Sequence, residues 1–249
     1  AGVGVGGWDL GEKMKDQAVQ FGAEIKNGTV ASVELTGQLK TVTLSDGAEI
    51  TARAVILAMG AYPRPLGVKG EAEFRAKGVS YCATCDGMFF RKKTVAVVGG
   101  GDTAIEDALL LAKTCEKVYL IHRRDTFRAA PVEVELVKNT ENIELVLCDT
   151  VEEICGEQKV TEVKLRSGRA LAVDGVFVAV GTIPDTELVK EQVTLNAQGY
   201  VVADETTKTN LPGVYVAGDL RVKPLRQVIT AASDGAVAAT QAVRELLGI

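Results

Sequence analysis

The chain has 249 residues, 47% of them hydrophobic and 24% charged, with 26 glycines, five cysteines, one histidine and a net charge of −5. That length and apolar content support a substantial core in one large or two medium domains. The acidic balance leaves no basic surface for nucleic acid, no apolar run reaches membrane-spanning length, and the opening residues are too glycine-rich for a signal peptide, so the expected location is cytoplasmic.

Residues 1–7 hold Gly2, Gly4 and Gly7 in a formal Gly-x-Gly-x-x-Gly, but no strand precedes them and they read as a flexible lead. Leu10, Met14, Ala18 and Phe21 recur at helical spacing and predict a helix closing at Gly22. Short strands are expected at 29–35, 40–44 and 49–51, with a turn at Ser45-Asp46-Gly47, and then at the apolar stretch 54–58. This stretch runs into Met59-Gly60-Ala61-Tyr62-Pro63-Arg64-Pro65, read as a loop because two prolines stop helix and sheet alike. Gly60 in that exit is a candidate cofactor contact.

Cys82-Ala83-Thr84-Cys85-Asp86-Gly87 comes next, and three chemistries compete for its cysteine pair. Zinc would need two further ligands, but there is no second Cys-x-x-Cys and the single histidine lies far along the chain. A structural disulfide is disfavoured in a reducing cytosol. A redox dithiol remains, with Asp86 placed to pass a proton or, more simply, to cap the following turn. Cys115, Cys148 and Cys155 sit in apolar contexts and read as buried thiols.

Directly after a basic link, the apolar strand Thr94-Val95-Ala96-Val97-Val98 enters Gly99-Gly100-Gly101-Asp102-Thr103-Ala104, and a helix pattern with Ile105, Ala108 and Ala112 follows. Strand, Gly-x-Gly-x-x-Ala and helix together form a dinucleotide fingerprint. Gly99 serves the tight turn, Gly101 a close approach to pyrophosphate, and Ala104 close helix–strand packing, while the helix start offers its N–H groups to phosphate. A second strand, 117–121, ends in His122-Arg123-Arg124-Asp125, with Arg128 close behind. Arginines at this strand end favour the 2′-phosphate of NADPH over the bare ribose of NADH.

Pro131 suits the first turn of a helix to about residue 139, and strands are expected at 143–147, 150–154, 160–166, 170–173 and 176–180. Residues 42–63 align without gaps on 163–184, an offset of 163 − 42 = 121, with identities at Val42/Val163, Leu44/Leu165, Gly47/Gly168, Val55/Val176, Ala58/Ala179, Gly60/Gly181 and Pro63/Pro184. The shared order of hairpin, apolar strand and Gly-Pro exit reads as duplication, so two related nucleotide-binding halves are expected. The last segment holds a strand ending at Gly218-Asp219, whose carboxylate can bond sugar or ribityl hydroxyls, and a long small-residue helix through Leu247.

Cys-Ala-Thr-Cys-Asp-Gly, Gly-Gly-Gly-Asp-Thr-Ala-Ile-Glu-Asp-Ala and Ile-His-Arg-Arg-Asp-x-Phe-Arg-Ala together resemble the bacterial-type, low-molecular-weight thioredoxin reductases, from about Leu10 to the C-terminus. The resemblance implies an FAD enzyme that carries electrons from NADPH through flavin to the cysteine pair and on to thioredoxin, usually as a homodimer. On that basis Cys85 faces the flavin, Cys82 attacks thioredoxin and Asp86 donates the proton. NADPH falls to Gly99, Gly100, Gly101, Asp102, Thr103, Ala104, His122, Arg123, Arg124 and Arg128, and FAD to Gly60, Gly218, Asp219, Arg226, Gln227 and Val228.

The fold expected is α/β, with two related Rossmann-like (FAD/NAD(P)-binding) domains, one inserted in the other. Residues 1–67 with 183–249 form the FAD-type domain and 68–182 the NADPH domain with its cysteine pair. The first half's counterpart of Gly99 falls at 99 − 121 = −22, ahead of Ala1, so the FAD-type domain is expected to lack its first βαβ unit, an N-terminal truncation relative to the family. Two alternatives stand beside this reading: an FAD-free fragment that binds NADPH without turnover, and the flavoprotein subunit of an alkyl hydroperoxide reductase.

Overall fold

The computed structural model describes residues 6–249, so Gly2 and Gly4 of the formal glycine triplet lie outside the described residues. Two compact units account for the chain, Ala1–Met59 with Thr186–Ile249, and Gly60–Asp185. The first unit opens on α1 (Gly7–Gln20), three residues ahead of the expected start, and none of its described side chains is buried. Then β1 (Val30–Glu34), β2 (Lys40–Leu44) and β3 (Glu49–Ala52) form an antiparallel sheet, followed by β4 (Val55–Leu57).

The second unit runs β5 (Ala61–Pro63), β6 (Val79–Ser80), α2 (Ala83–Asp86), a 3-10 turn at Gly87–Phe90, β7 (Thr94–Gly99), α3 (Asp102–Ala112) and β8 (Lys117–His122). It continues through α4 (Pro131–Lys138), β9 (Ile143–Leu147), β10 (Val151–Gly156), β11 (Val160–Leu165), β12 (Ala170–Ala172), β13 (Gly175–Ala179) and β14 (Thr182–Pro184). Its centre is a parallel sheet in the order β6-β13-β7-β8-β9.

A parallel sheet covered on both faces reads as a continuous apolar run rather than an alternating one, and β7 is such a run. Val95 and Val97 face α3 and α4 with Ile105, Leu111, Val118, Leu120 and Phe177. Ala96 and Val98 point the other way and pack with Val163, Leu165, Leu171 and Val178, the last joined there by residues of the antiparallel sheet β10-β11-β12. Back in the first unit, β15 (Val214–Val216) pairs parallel with β4, and α5 (Val228–Leu247) follows a 3-10 turn at Gly218–Leu220. Among the described residues no helix is long and apolar enough to cross a membrane.

The internal repeat is structural. Adding 121 carries β1 at 30–34 onto 151–155 in β10, β2 at 40–44 onto 161–165 in β11, and β5 at 61–63 onto 182–184, the bounds of β14. Even the register irregularity recurs: it lies between Val30 and Ser32 in β1, and between Val151 and Glu153 in β10. The turn glycines match in conformation, Gly47 at φ 85° with Gly168 at 89°, and Gly60 at 78° with Gly181 at 105°. A left-handed residue closes each hairpin and each strand exit, where a side chain would strain the backbone.

One expectation is corrected here. The stretch 59–65, read as a loop, contains β5, which pairs antiparallel with its own repeat counterpart β14: Thr182 opposite Pro63, Ile183 opposite Tyr62, Pro184 opposite Ala61. Prolines are tolerated because each sits at an end of a two-stranded ladder, where the missing N–H has no partner to disappoint. Arg64 N–H donates to the Gly181 carbonyl (2.9 Å) and Asp185 N–H to the Gly60 carbonyl (3.0 Å), closing both ends.

Candidate functional site

Cys82 and Cys85 are joined as a disulfide at the start of α2. Cys82 is the N-cap, in extended conformation, and its Sγ accepts the Cys85 N–H at 3.1 Å. Cys82 is half-buried and Cys85 exposed. Asp86 does not cap the following 3-10 turn. Its Oδ2 instead accepts the hydroxyl of Ser80 at 2.7 Å, and that same Oγ accepts the Cys82 N–H at 3.1 Å. Sequence reasoning passed over Ser80, since a serine two residues before a cysteine has no signature of its own.

A buried carboxylate stands nearby. Glu71 accepts the N–H groups of Leu66 (2.8 Å) and Gly67 (2.7 Å) and the Tyr81 hydroxyl (2.8 Å), so the residue preceding Cys82 is tied to the chain entering the unit. Burial, and then the Glu71 carboxylate, push the Tyr81 hydroxyl up to about 12, so the phenol stays protonated and donating.

The glycine turn forms the floor of a cleft of about 510 Å³ at the carboxyl ends of β7, β8 and β13. That edge of a parallel sheet is where nucleotides bind in such folds. A Cβ on Gly99 would meet the Ala179 carbonyl oxygen at 2.3 Å and Ala104 Cβ at 2.7 Å; one on Gly100 would lie 2.1 Å from the His122 ring. Gly101, by contrast, faces open space. So two glycines let strand, helix and imidazole close up, and the third leaves room beside the start of α3.

His122 is buried beneath this turn, stacked on Phe127, with Nε2–H donating to the Thr126 carbonyl at 3.1 Å. Burial, helped by Arg123, Arg124 and Arg128, holds its imidazole below the usual range against the pull of that carbonyl, and it is neutral at pH 7. Arg128 N–H donates to the Gly100 carbonyl at 2.7 Å, which fixes the Arg128 segment on the turn.

Gly99, Gly100, Gly101, Asp102, Thr103, His122, Arg123 and Arg128 line the cleft. Ala104 lies fully buried behind it, and Arg124 is exposed outside the lining, its carbonyl accepting the Cys148 N–H. The lining also includes Arg64, Asp149 and Thr150, which the sequence reading missed. Asp149 and Thr150 lie two and three residues beyond the end of β9, so the rule that ligands gather beyond the carboxyl ends of parallel strands would have found them.

In the first unit, Gly218 adopts φ 73° and its N–H donates to Asp234 Oδ2 at 3.0 Å. Asp219 Oδ1 is buried without a hydrogen-bond partner. An orphaned carboxylate oxygen costs stability unless a donor reaches it. The hydroxyl-rich ribityl chain of FAD is such a donor, and the residues present therefore fit the group. Arg226 Nε donates to the Asp219 carbonyl (3.3 Å), with its guanidinium 3.9 Å above the Tyr200 ring. Gln227 forms a reciprocal capping box with Thr230 at the start of α5, and Val228 beside it is exposed. Gly60 belongs to the other unit, at φ 78° with nothing within 4 Å of its Cβ position.

Asp234 anchors this loop. It lies 6% exposed and binds Arg221 at 3.0 Å and Lys223 at 2.5 Å. Burial works to raise its carboxyl, but the hydrogen bonds from Arg221, Lys223 and the Gly218 N–H outweigh it and hold it below the usual range.

Comparison with known proteins places residues 10–235 on the family model for pyridine nucleotide-disulphide oxidoreductases. The chain is 46% identical over 249 residues to the thioredoxin reductase of Mycolicibacterium smegmatis, covering 98% of this chain and 80% of that protein. It is 44% identical to the bifunctional thioredoxin reductase/thioredoxin of Mycobacterium leprae, of which it spans 54%, about half the length. The crystal structure of thioredoxin reductase from Streptococcus pyogenes superposes with a TM-score of 0.90 at 37% identity, covering 98% of this chain and 82% of that one.

Proposed function

This chain belongs to the pyridine nucleotide-disulphide oxidoreductases, among their thioredoxin reductases, and from that premise we propose that it carries electrons from NADPH through FAD to Cys82–Cys85 and on to thioredoxin. The observation that carries the proposal is a Cys-x-x-Cys disulfide built on the same sheet as a glycine-floored cleft with arginines at its rim. When bound, FAD supplies the two-electron carrier between nicotinamide and disulfide. Asp219, Arg226, Gln227 and Val228 would hold it, with Gly218 as a backbone approach. The glycine turn, Asp102, Thr103 and His122 seat the NADPH pyrophosphate, and Arg123, Arg124 and Arg128 the 2′-phosphate. The two domains are the FAD-type and NADPH-type halves.

Two electrons and one proton break the Cys82–Cys85 bond and leave Cys85 as a thiol and Cys82 as a thiolate. Because the Cys85 N–H points at Cys82 Sγ, negative charge is better accommodated on Cys82, which makes it the attacking sulfur. Its thiolate attacks one sulfur of the thioredoxin disulfide, and the departing sulfur takes a proton from Asp86. Cys85, deprotonated in turn by the Asp86 carboxylate, attacks Cys82 Sγ and displaces the thioredoxin sulfur, which takes up that proton. This restores the starting bond and releases dithiol thioredoxin. The fusion of reductase and thioredoxin in the M. leprae relative supports thioredoxin as substrate. Of the three thiols expected to be buried only Cys115 is, Cys148 being exposed and Cys155 half-buried; all three are free, which supports a reducing, cytoplasmic setting, and exposed Trp8, Met14 and Leu247 supply apolar surface for a homodimer.

Visible absorption of the purified chain before and after anaerobic NADPH tests the proposal directly. A flavin band that bleaches is the expected result; a colourless protein that still binds NADPH would overturn the FAD step. The arginines have their own test. Replacing Arg123 and Arg124 with alanine is expected to raise KM for NADPH about tenfold or more while moving KM for NADH little, since each lost charge-assisted contact is worth about 1.5–3 kcal/mol. An equal effect on both nucleotides removes the 2′-phosphate role.

A further inference from the structure

We propose that Ser80 is a positioning residue for the dithiol chemistry, offsetting and orienting the Asp86 charge beside the cysteine pair. The inference rests on the reading of Asp86 as the proton carrier. Ser80 is the last residue of β6, locked in the parallel sheet opposite Phe177, and it is 6% exposed. Its single hydroxyl proton goes to Asp86 Oδ2 at 2.7 Å, while its lone pair takes the Cys82 N–H at 3.1 Å. The competing acceptor, the Cys82 carbonyl, lies at 3.4 Å, so the carboxylate is the better partner. One side chain thus fixes the carboxylate and the backbone of a redox cysteine to the same rigid strand.

The charge argument sets the signs. A carboxylate beside a thiol opposes thiolate formation, and a hydroxyl donating to that carboxylate offsets part of its charge. Removing the donor returns the full charge to the site and suppresses the thiolate. Removing the charge itself does the opposite, and once the charge is gone Ser80 has nothing left to offset. When a departing thiolate takes its proton, Asp86, first protonated from solvent, supplies it, and Ser80 keeps its own.

The test uses the chain of residues 1–249, reduced with dithiothreitol and desalted, labelled with iodoacetamide between pH 5 and 9. Labelling is read by mass spectrometry on the 82–85 peptide, so that Cys148 does not contribute. Ser80→Ala is expected to slow labelling at pH 7 about fivefold and move the profile to higher pH, Ser80→Thr to restore it, and Asp86→Asn to speed it. In an Asp86→Asn background, Ser80→Ala is expected to change nothing.

A Ser80→Ala profile that overlays the parent while Asp86→Asn moves sinks the role of Ser80 and spares that of Asp86. An Asp86→Asn profile that overlays the parent sinks both. A Ser80→Ala effect that persists in the Asp86→Asn background assigns Ser80 to the Cys82 backbone alone and overturns the proposal. Ser80→Val, isosteric with threonine and without a donor, makes the same measurement should the alanine chain not fold.

Discussion

Cys82→Ser is expected to lower NADPH-dependent thioredoxin reduction below about a thousandth of the parent rate, because the redox pair loses its attacking sulfur and because groups acting as a unit fail together. NADP⁺ binding, measured by titration calorimetry, is expected to be unchanged, since the glycine turn and the arginines at the carboxyl edge of the sheet do not involve Cys82. Turnover that survives the substitution would show that electrons leave by another route, and the dithiol assignment would fail. Loss of nucleotide binding with turnover would instead mean that the disulfide supports the fold of the cleft.

The second large effect concerns stability. Asp234 neutralises two buried cations, Arg221 and Lys223, and accepts the Gly218 N–H as well. Asp234→Asn leaves buried Lys223 without a carboxylate and Arg221 with only the exposed Glu205 at 3.5 Å, a change that costs about 3–5 kcal/mol, or about 10 °C in Tm for a chain of this size. Its pH dependence has a definite sign. A carboxyl held below its ordinary 3.8 in the folded chain contributes stability above that pH and loses it as pH falls through the lower folded value. The gap between parent and Asp234→Asn is therefore expected to be full at pH 7 and to close only below about pH 3.8. A melting curve for the variant that matches the parent at pH 7 would show the triad to be energetically idle.

Legibility from sequence followed the range of the interactions. β2 and β9 were expected at the bounds observed, because alternation or a continuous apolar run between turn signals is a local property. The glycine turn was legible for the same reason, strand, turn and helix being consecutive. The β5–β14 ladder was not: its prolines signal breakage locally, and only a partner 121 residues away gives the segment an edge to pair with. Among site residues, Cys82, Cys85 and Asp86 stand in one short motif, whereas Ser80 matters through a hydroxyl direction that no spacing encodes. The Arg221–Asp234–Lys223 triad joins a loop to a helix 13 and 11 residues on, a distance at which charge pairs in sequence are too common to single out.

Gly60 and Asp185, the first and last residues of the second unit, are joined by a hydrogen bond from N–H to carbonyl, just outside a ladder made of the two repeat counterparts. A segment whose two ends abut behaves as a cassette: it can enter or leave a host chain through one narrow gap, with almost no loop entropy to close. Residues 60–185 thus have the geometry of a transferable insert. The duplication visible in the strands could have lodged one copy inside a loop of the other with no spacer, and the same gap offers protein engineers a site for swapping the nucleotide half between relatives.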